Sequence, residues 1–557
     1  MEKTEKKKNV ELTEEEIEAI LEQQAPPLTL PKFMESRRFH FFAALISVLC
    51  MAILPMLILW SKNTGGLNFL EGLWPVAVAL VVGLIVFVLT WFLSKKNAPV
   101  TAFAGSAISF FFLDFGLYIS IAKKILPFLP VAVGALIVGV LLSAAILIVV
   151  IKLRNSKALM IAMSVFALAL VLLTAFNSVR IAIRTIERVS MFRPYEAYQS
   201  DPVVPEKTAA KSDAQPNIYY FIMDEAGDFS TMERYYDIPT EENPYYQYCQ
   251  EKGFSVSLNS SAYTNRSLYC IANLFSLQYV CTPETESPDA RIYAFTGEWF
   301  DDLHALGYKT YQVSTHTSHY LQLKELSDPT FTEELLCSVT FDGSSMLDLF
   351  IDTSILSLVK EFAGDGVSFI DEIGAGIFKM RLKRVSDFYA DPSNYTYDAP
   401  MAIHTYLLPP HTPFFIDAEG NTVSTKYRCN WVDHKYYLDQ WMYMEKYMEE
   451  IIDNIFRYDP NAIIIVQSDH GARGGLWQND YNAENYDIEK TDQCRILNTV
   501  YFCGEPIEIE GLSAVNTARA ILTKLGSNRP PIPDADYIFW QDQVDPEESG
   551  DIEEKGF

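Results

Sequence analysis

The stretch "NAIIIVQSDHGARGG", residues 461–475, runs apolar for five residues and then stops in Ser468, Asp469, His470 and Gly471. A short, β-branched apolar run bounded by polar punctuation reads as a buried strand. Its end has two readings. Asp469-His470-Gly471 fits a tight turn in which glycine supplies a positive φ, and it equally fits a pair of adjacent ligands. The sheet to which the strand belongs has to decide between them.

Similar segments lie on either side. "NIYYFIMDE" (217–225) is a second buried strand ending in acids, and "PMAIHTYLLPPH" (400–411) is a third. "WFDDLHALGYKTYQVSTH" (299–316) reads as helix, glycine turn and strand, and "YYLDQWMYMEKYMEEIIDNIFRY" (436–458) as a long helix. Continuous apolar strands alternating with helices imply an α/β domain, a mostly parallel sheet covered by helices. It is expected over 216–545, followed by an acidic tail at 546–557.

Ahead of this domain the composition changes. Five apolar runs, near 39–60, 75–94, 101–122, 130–151 and 158–177, are each about the 20 residues of helix that a hydrocarbon core requires. They predict a five-helix transmembrane domain at 37–180 behind a cytoplasmic tail at 1–36. In that tail Thr13 and Glu16 form a capping box for a short helix. Lys and Arg cluster before the first run and in the second and fourth gaps, which places those in the cytoplasm and the large domain outside, extracellular or periplasmic. Lys123, Lys124, Arg180, Arg184 and Arg188 run against that rule. Asp114 is an ionisable group within a span, and the alternatives for it are a functional role or pairing with Lys123 or Lys124 at the membrane edge. The segment 181–215 reads as a surface-lying juxtamembrane helix followed by a polar linker. The formal net charge of −27 excludes nucleic acid as a partner. Seven of eight cysteines fall outside the membrane in this topology, which leaves room for one or two disulfides.

Ligands of open α/β sheets sit outside the carboxyl ends of the strands. There the chain places Asp224 and Glu225, His316 with His319 close behind, His404 and His411, and Asp469 with His470. Singly, each acid reads as a helix cap or turn residue and each histidine as a packed side chain. Together, oxygen ligands and imidazoles on one sheet edge suit one or two divalent cations, zinc or manganese, at a hydrolytic or transfer site.

The ordered series "PNIYYFIMDE", "NSSAYTNRSLYCIANLFSLQYV" (259–280), "GYKTYQVSTHTSHY" (307–320), "PPHTPFFIDAEGN" (409–421), "SDHG" and "ILNTVYFCGEP…AVNTARAILTKLG" (496–526) resembles the membrane-anchored, sulfatase-like transferases of the alkaline phosphatase superfamily. These include lipoteichoic-acid synthases and other phosphoglycerol or phosphoethanolamine transferases. The resemblance implies Asp224, Asp469 and His470 as metal ligands, joined by the oxygen of the nucleophile. It implies His411 and His316 as contacts to the substrate phosphate or leaving group. Glu225, His404 and Arg473 are additional candidates; Glu225 stands outside the implied ligand set because such transferases commonly use a single acid there. "TNRS" offers two nucleophiles, Thr264, which the resemblance favours, and Ser267 three residues on. Neither Ser267 nor Cys270 is followed by the Pro/Ala and Arg that formylglycine formation requires. The implied partners are a phospholipid donor in the bilayer and an envelope glycan or lipid acceptor. The implied reaction is transfer of a phospho-headgroup through a covalent enzyme intermediate, with a hydrolase of the same fold or a catalytically decayed envelope protein as the alternatives.

Overall fold

The computed structural model describes residues 36–64, 69–191, 215–280, 297–314, 344–363, 366–392, 400–430, 433–472 and 491–535. His316, His319, Arg473, the capping box at 13–16, most of the 181–215 linker and the acidic tail lie outside them.

The apolar runs fold as helices α1 (Arg37–Lys62), α2 (Phe69–Leu93), α3 (Ala98–Leu113), α4 (Phe115–Ile125), α5 (Val131–Lys152) and α6 (Lys157–Met191). Four of them are long and apolar enough to cross a membrane, and α3 with α4 makes a fifth if the bent pair counts as one span. The third run is not one straight helix. It breaks at Asp114, and α4 turns from α3 by 78°. The last run, 158–177, is part of a longer helix, because α6 continues unbroken to Met191. Apolar side chains such as Leu84, Leu89, Phe92, Leu141 and Phe176 are exposed along these helices, the inverse of a water-soluble bundle and the arrangement a lipid solvent favours.

Residue contacts divide the chain into two compact units. One comprises Met1–Leu54, Ala79–Phe111 and Gly139–Ala175 and has its own core of small and aromatic side chains, among them Ala44, Val48, Phe87, Ala102 and Met163. The other comprises Pro55–Val78, Phe112–Val138 and everything from Phe176 onward. In this second unit Arg184 Nη1 donates to the Ser61 carbonyl at 2.6 Å and Ser61 Oγ to Asn177 Oδ1 at 3.2 Å.

The second unit also carries the α/β domain. Strands β1 (Ile218–Met223), β2 (Ser255–Ser257), β3 (Lys309–Ser314), β4 (Met401–Leu407), β5 (Ile463–Ser468) and β6 (Asn498–Phe502) form one sheet in the order β2-β6-β5-β1-β4-β3. β3, β4, β1 and β5 are parallel, while β6 runs antiparallel to β5 and β2 antiparallel to β6. Helices α7 (Phe229–Tyr236), α8 (Pro244–Lys252), α9 (Ser267–Ser276), α10 (Glu298–Ala305), α11 (Ser344–Thr353), α12 (Ser357–Ala363), α13 (Phe369–Ala390), α14 (Lys435–Tyr458) and α15 (Ala514–Leu525) complete the domain. No two of the described cysteines are bridged.

Both faces of the sheet are buried, which is why the strands read as unbroken apolar runs. β1 shows how the period of two divides them. Tyr219, Phe221 and Met223 enter a core with Trp441, Met444 and Met448 of α14 and Leu382 and Val385 of α13. Ile218, Tyr220 and Ile222 enter the opposite core with α9, α10 and α15, through Ile271, Trp299 and Ile521. The strand therefore delivers whatever follows it to one named face or the other.

Candidate active site

β1 and β5 are neighbours in register, with Met223 opposite Ser468. Asp224 and Asp469 thus emerge side by side at the carboxyl edge. Ligand atoms of Asp224, Asp469 and His470 all lie within 4.8 Å of one another, and all three residues are buried. The edge is assembled by backbone. Asp469 Oδ1 accepts from the N–H of Glu225 at 3.1 Å and of His470 at 2.8 Å. Gly471 passes so close to the 492–495 segment that an added Cβ would lie 2.4 Å from the carbonyls of Asp492 and Arg495. Glycine is required here by close approach, whereas the turn reading called for a positive φ.

His470 Nδ1 lies 3.0 Å from the Gly471 carbonyl, which can only accept, so Nδ1 carries the proton. The Nε2 lone pair is thereby turned inward, 3.7 Å from Asp224 Oδ1 and 4.0 Å from Asp469 Oδ2. Ser267, the first residue of α9, completes the group. Its Oγ lies 3.4 Å from Asp224 Oδ1 and 3.3 Å from His470 Nε2. It sits at the N-terminus of a ten-residue helix, where N–H groups lacking intrahelical partners and the helix dipole favour an anion. Thr264 has a different setting. It is fully buried, its Oγ1 finds no hydrogen-bond partner among the described residues, and its carbonyl accepts from Cys270 Sγ at 3.4 Å.

Burial pushes the Asp224 carboxyl up to about 7, and the neighbouring Asp469 charge pushes it further in that direction. Two buried acids this close resist joint ionisation without a cation between them. Among the described residues nothing donates to Asp469 Oδ2. Two carboxylates, an imidazole lone pair and a hydroxyl converging on one point form a donor set that suits a divalent cation.

Glu225 faces elsewhere. Its φ of 61° is left-handed, a strained conformation for a non-glycine residue. Its carbonyl accepts from Tyr437 Oη at 2.7 Å, and its Oε2 lies 3.8 Å from His411 Nε2. His411 is held by its own N–H on the Asp224 carbonyl at 3.1 Å, and its ring is about one quarter exposed at the mouth of the site. His404 is not at the edge. It lies two residues before Tyr406 on β4, roughly 7 Å deeper along the strand, where Trp299 Nε1 donates to its Nε2 at 2.7 Å. Burial holds its imidazole down to about 3, so it is a neutral core side chain.

Two further residues belong to the site although the sequence did not single them out. Tyr406 donates its hydroxyl to Asp224 Oδ2; in an apolar strand a tyrosine reads as core, and only its position one residue before the carboxyl end of β4 was a signal. Gln440, fully buried on α14, accepts from the Phe415 N–H at 2.9 Å and donates to the carbonyls of Pro410 and His411 at 3.2 and 3.1 Å. It anchors the loop carrying His411, and its signal was an amide on the apolar stripe of a helix.

No family model matches the chain, and no curated protein matches it in sequence. Among solved structures, the chain is similar to the integral membrane protein lipooligosaccharide phosphoethanolamine transferase A from Neisseria meningitidis. That match has 12% identity, 88% of this chain, 96% of that one and a TM-score of 0.37. It is also similar to the lipoteichoic acid synthase LtaP from Listeria monocytogenes (14% identity, 60% and 78% coverage, TM-score 0.34). A third match is the C-terminal periplasmic domain of EcEptC from Escherichia coli (13%, 58% and 84%, 0.34). At these identities and TM-scores the likenesses assign neither a family nor an activity, which have to come from the side chains of the site.

Proposed function

We propose that the α/β domain transfers a phospho-headgroup, phosphoglycerol or phosphoethanolamine, from a membrane phospholipid to a hydroxyl of an envelope glycan or lipid. The observation that carries this reading is the convergence of Ser267 Oγ with Asp224, Asp469 and His470 at a helix N-terminus. A phosphoryl group placed there meets a nucleophile, helix N–H groups and a cation site at once. The resemblance to sulfatase-like transferases agrees with it, with Ser267 taking the part first given to Thr264.

Asp224, Asp469 and His470 would hold a zinc or manganese ion, which when bound acidifies a neighbouring hydroxyl and offsets phosphoryl charge. Ser267 Oγ, its proton released to solvent, attacks phosphorus. A Ser267–phosphorus bond forms as the bond from phosphorus to the diacylglycerol oxygen breaks. His411, at the mouth, protonates that oxygen and diacylglycerol leaves. The acceptor hydroxyl then gives its proton to the same imidazole and attacks phosphorus, and Ser267 Oγ departs. Tyr406 fixes the Asp224 carboxylate throughout, and the buried Glu225 carboxylate, 3.8 Å from His411 Nε2, favours the protonated imidazole that this step uses.

The test is peptide mass spectrometry of the full-length protein in vesicles containing headgroup-labelled phosphatidylglycerol or phosphatidylethanolamine, without acceptor. Label on Ser267 supports the reading. Label on Thr264, or release of free headgroup to water with no labelled peptide, contradicts it.

A further inference from the structure

From residue 215 onward, six large apolar side chains remain exposed among the described residues, and five of them fall between 362 and 380. They are Phe362 (68% exposed), Val367 (47%), Phe369 (61%), Ile373 (48%) and Met380 (38%). Phe362 lies in the last turn of α12, Val367 precedes α13, and Phe369, Ile373 and Met380 follow one another at helical spacing along the exposed side of α13. Two aromatic rings and three aliphatic chains in one ridge call for a cover.

The chain itself indicates which cover. Just before this ridge, the α11–α12 junction packs on ends of the apolar helices within the same unit. The Ile355 N–H donates to the Phe112 carbonyl at 2.8 Å, at the end of α3. Gly116 of α4 lies against the Asp352 carbonyl, 3.3 Å from where a Cβ would stand. The Phe350 ring meets Trp74 of α2 edge-on at 5.4 Å between centroids. Phe362 thus follows seven residues after a segment bonded to the apolar helix α3, one half of the bent pair α3–α4.

The chemistry along α13 has the matching gradient. Its outward positions run Phe369, Ile373 and Met380 and then change to the exposed ion pair Lys383–Asp387. The acids of its first turn are taken up on other sides: Asp371 is buried with Ser368, Thr425 and Arg428, and Glu372 accepts from Thr422 Oγ1 at 2.8 Å. An apolar ridge, with the exposed Glu372 tied to Thr422 beside it, that leads into a charged remainder is the pattern of a helix entering a lipid interface at an angle.

We propose that the Phe362–Met380 ridge docks into the outer leaflet of the bilayer that α1–α6 span, and so holds the catalytic domain against the membrane surface. The docking rests on the membrane helices and the ridge, and it stands or falls apart from the transfer reaction.

The test places the photocrosslinking residue p-benzoylphenylalanine at 362 or at 369 of the full-length protein, an aromatic-for-aromatic exchange at exposed positions. The protein is reconstituted in vesicles of equal phosphatidylglycerol and phosphatidylethanolamine, irradiated, and its peptides are weighed. Lipid adducts at 362 and 369, roughly tenfold above the same probe at 387, are the expected result. Lipid yield at 369 no higher than at 387 overturns the proposal. So do adducts to a second copy, or to a peptide of the same chain, in place of lipid.

Discussion

Asp224 and Glu225 are consecutive acids at the end of one strand, yet they serve opposite sides of the sheet. Asp224 continues the parity of Tyr220 and Ile222 and joins Asp469, His470, Tyr406 and Ser267 on the side of α9. Glu225, with its left-handed backbone, reaches Tyr437 and His411 on the side of α14. One side collects the proposed cation ligands and nucleophile; on the other, Glu225 faces the imidazole of His411. In the proposed mechanism the adjacent acids therefore take different parts, because a strand end sends alternate residues to different neighbours.

The division can be broken most severely at the nucleophile. Ser267→Ala should lower headgroup transfer by at least about a thousandfold while the bound cation stays, as read by lipid mass spectrometry and metal analysis of the same sample. Next, Asp224→Asn should weaken cation binding by more than about a hundredfold. Glu225→Gln should leave metal content unchanged and slow transfer by about tenfold. Equal loss of metal in the two variants would erase the distinction between the sides. Tyr406→Phe should weaken the cation by about tenfold through the freed carboxylate, measured by competition with a chelating dye.

Acid titration sharpens the comparison further. Because burial raises the Asp224 carboxyl to about 7, its contribution to the stability of chelator-treated protein is fully present below the unfolded value near 4 and is lost as pH rises through about 7. The thermal midpoint of cation-free protein should fall between pH 5 and pH 8, and Asp224→Asn should flatten that slope. The smallest effect belongs to Thr264→Val. Removal of a buried hydroxyl with no partner should leave transfer within about twofold of the parent and stability unchanged or raised by roughly 1 kcal/mol, as denaturant titration would show.

Much of this was legible because the strands stop abruptly. Asp224, Asp469 and His470 each follow an apolar run without an intervening turn, and the parallel register brings the two strand ends together. Thr264 and Ser267 were not separable, since both lie at the start of the same helix and only the path into α9 brings Ser267 to Asp224 and His470. His404 carries the same residue type as His470, but its distance from the sheet edge and its Trp299 partner come from tertiary packing. In the membrane segment, an apolar run of spanning length does not encode direction, so the 78° bend at Asp114 was hidden in residues that all read as one span.

The central claim is that Ser267, and not Thr264, faces a cation held by Asp224, Asp469 and His470. It is tested most directly by anomalous diffraction at the zinc edge from crystals of the full-length protein grown with zinc. The account predicts one peak about 2.0–2.2 Å from oxygens of both aspartates and from His470 Nε2, with Ser267 Oγ as the nearest hydroxyl. A peak bound by Glu225, or one whose nearest hydroxyl is Thr264 Oγ1, would contradict it.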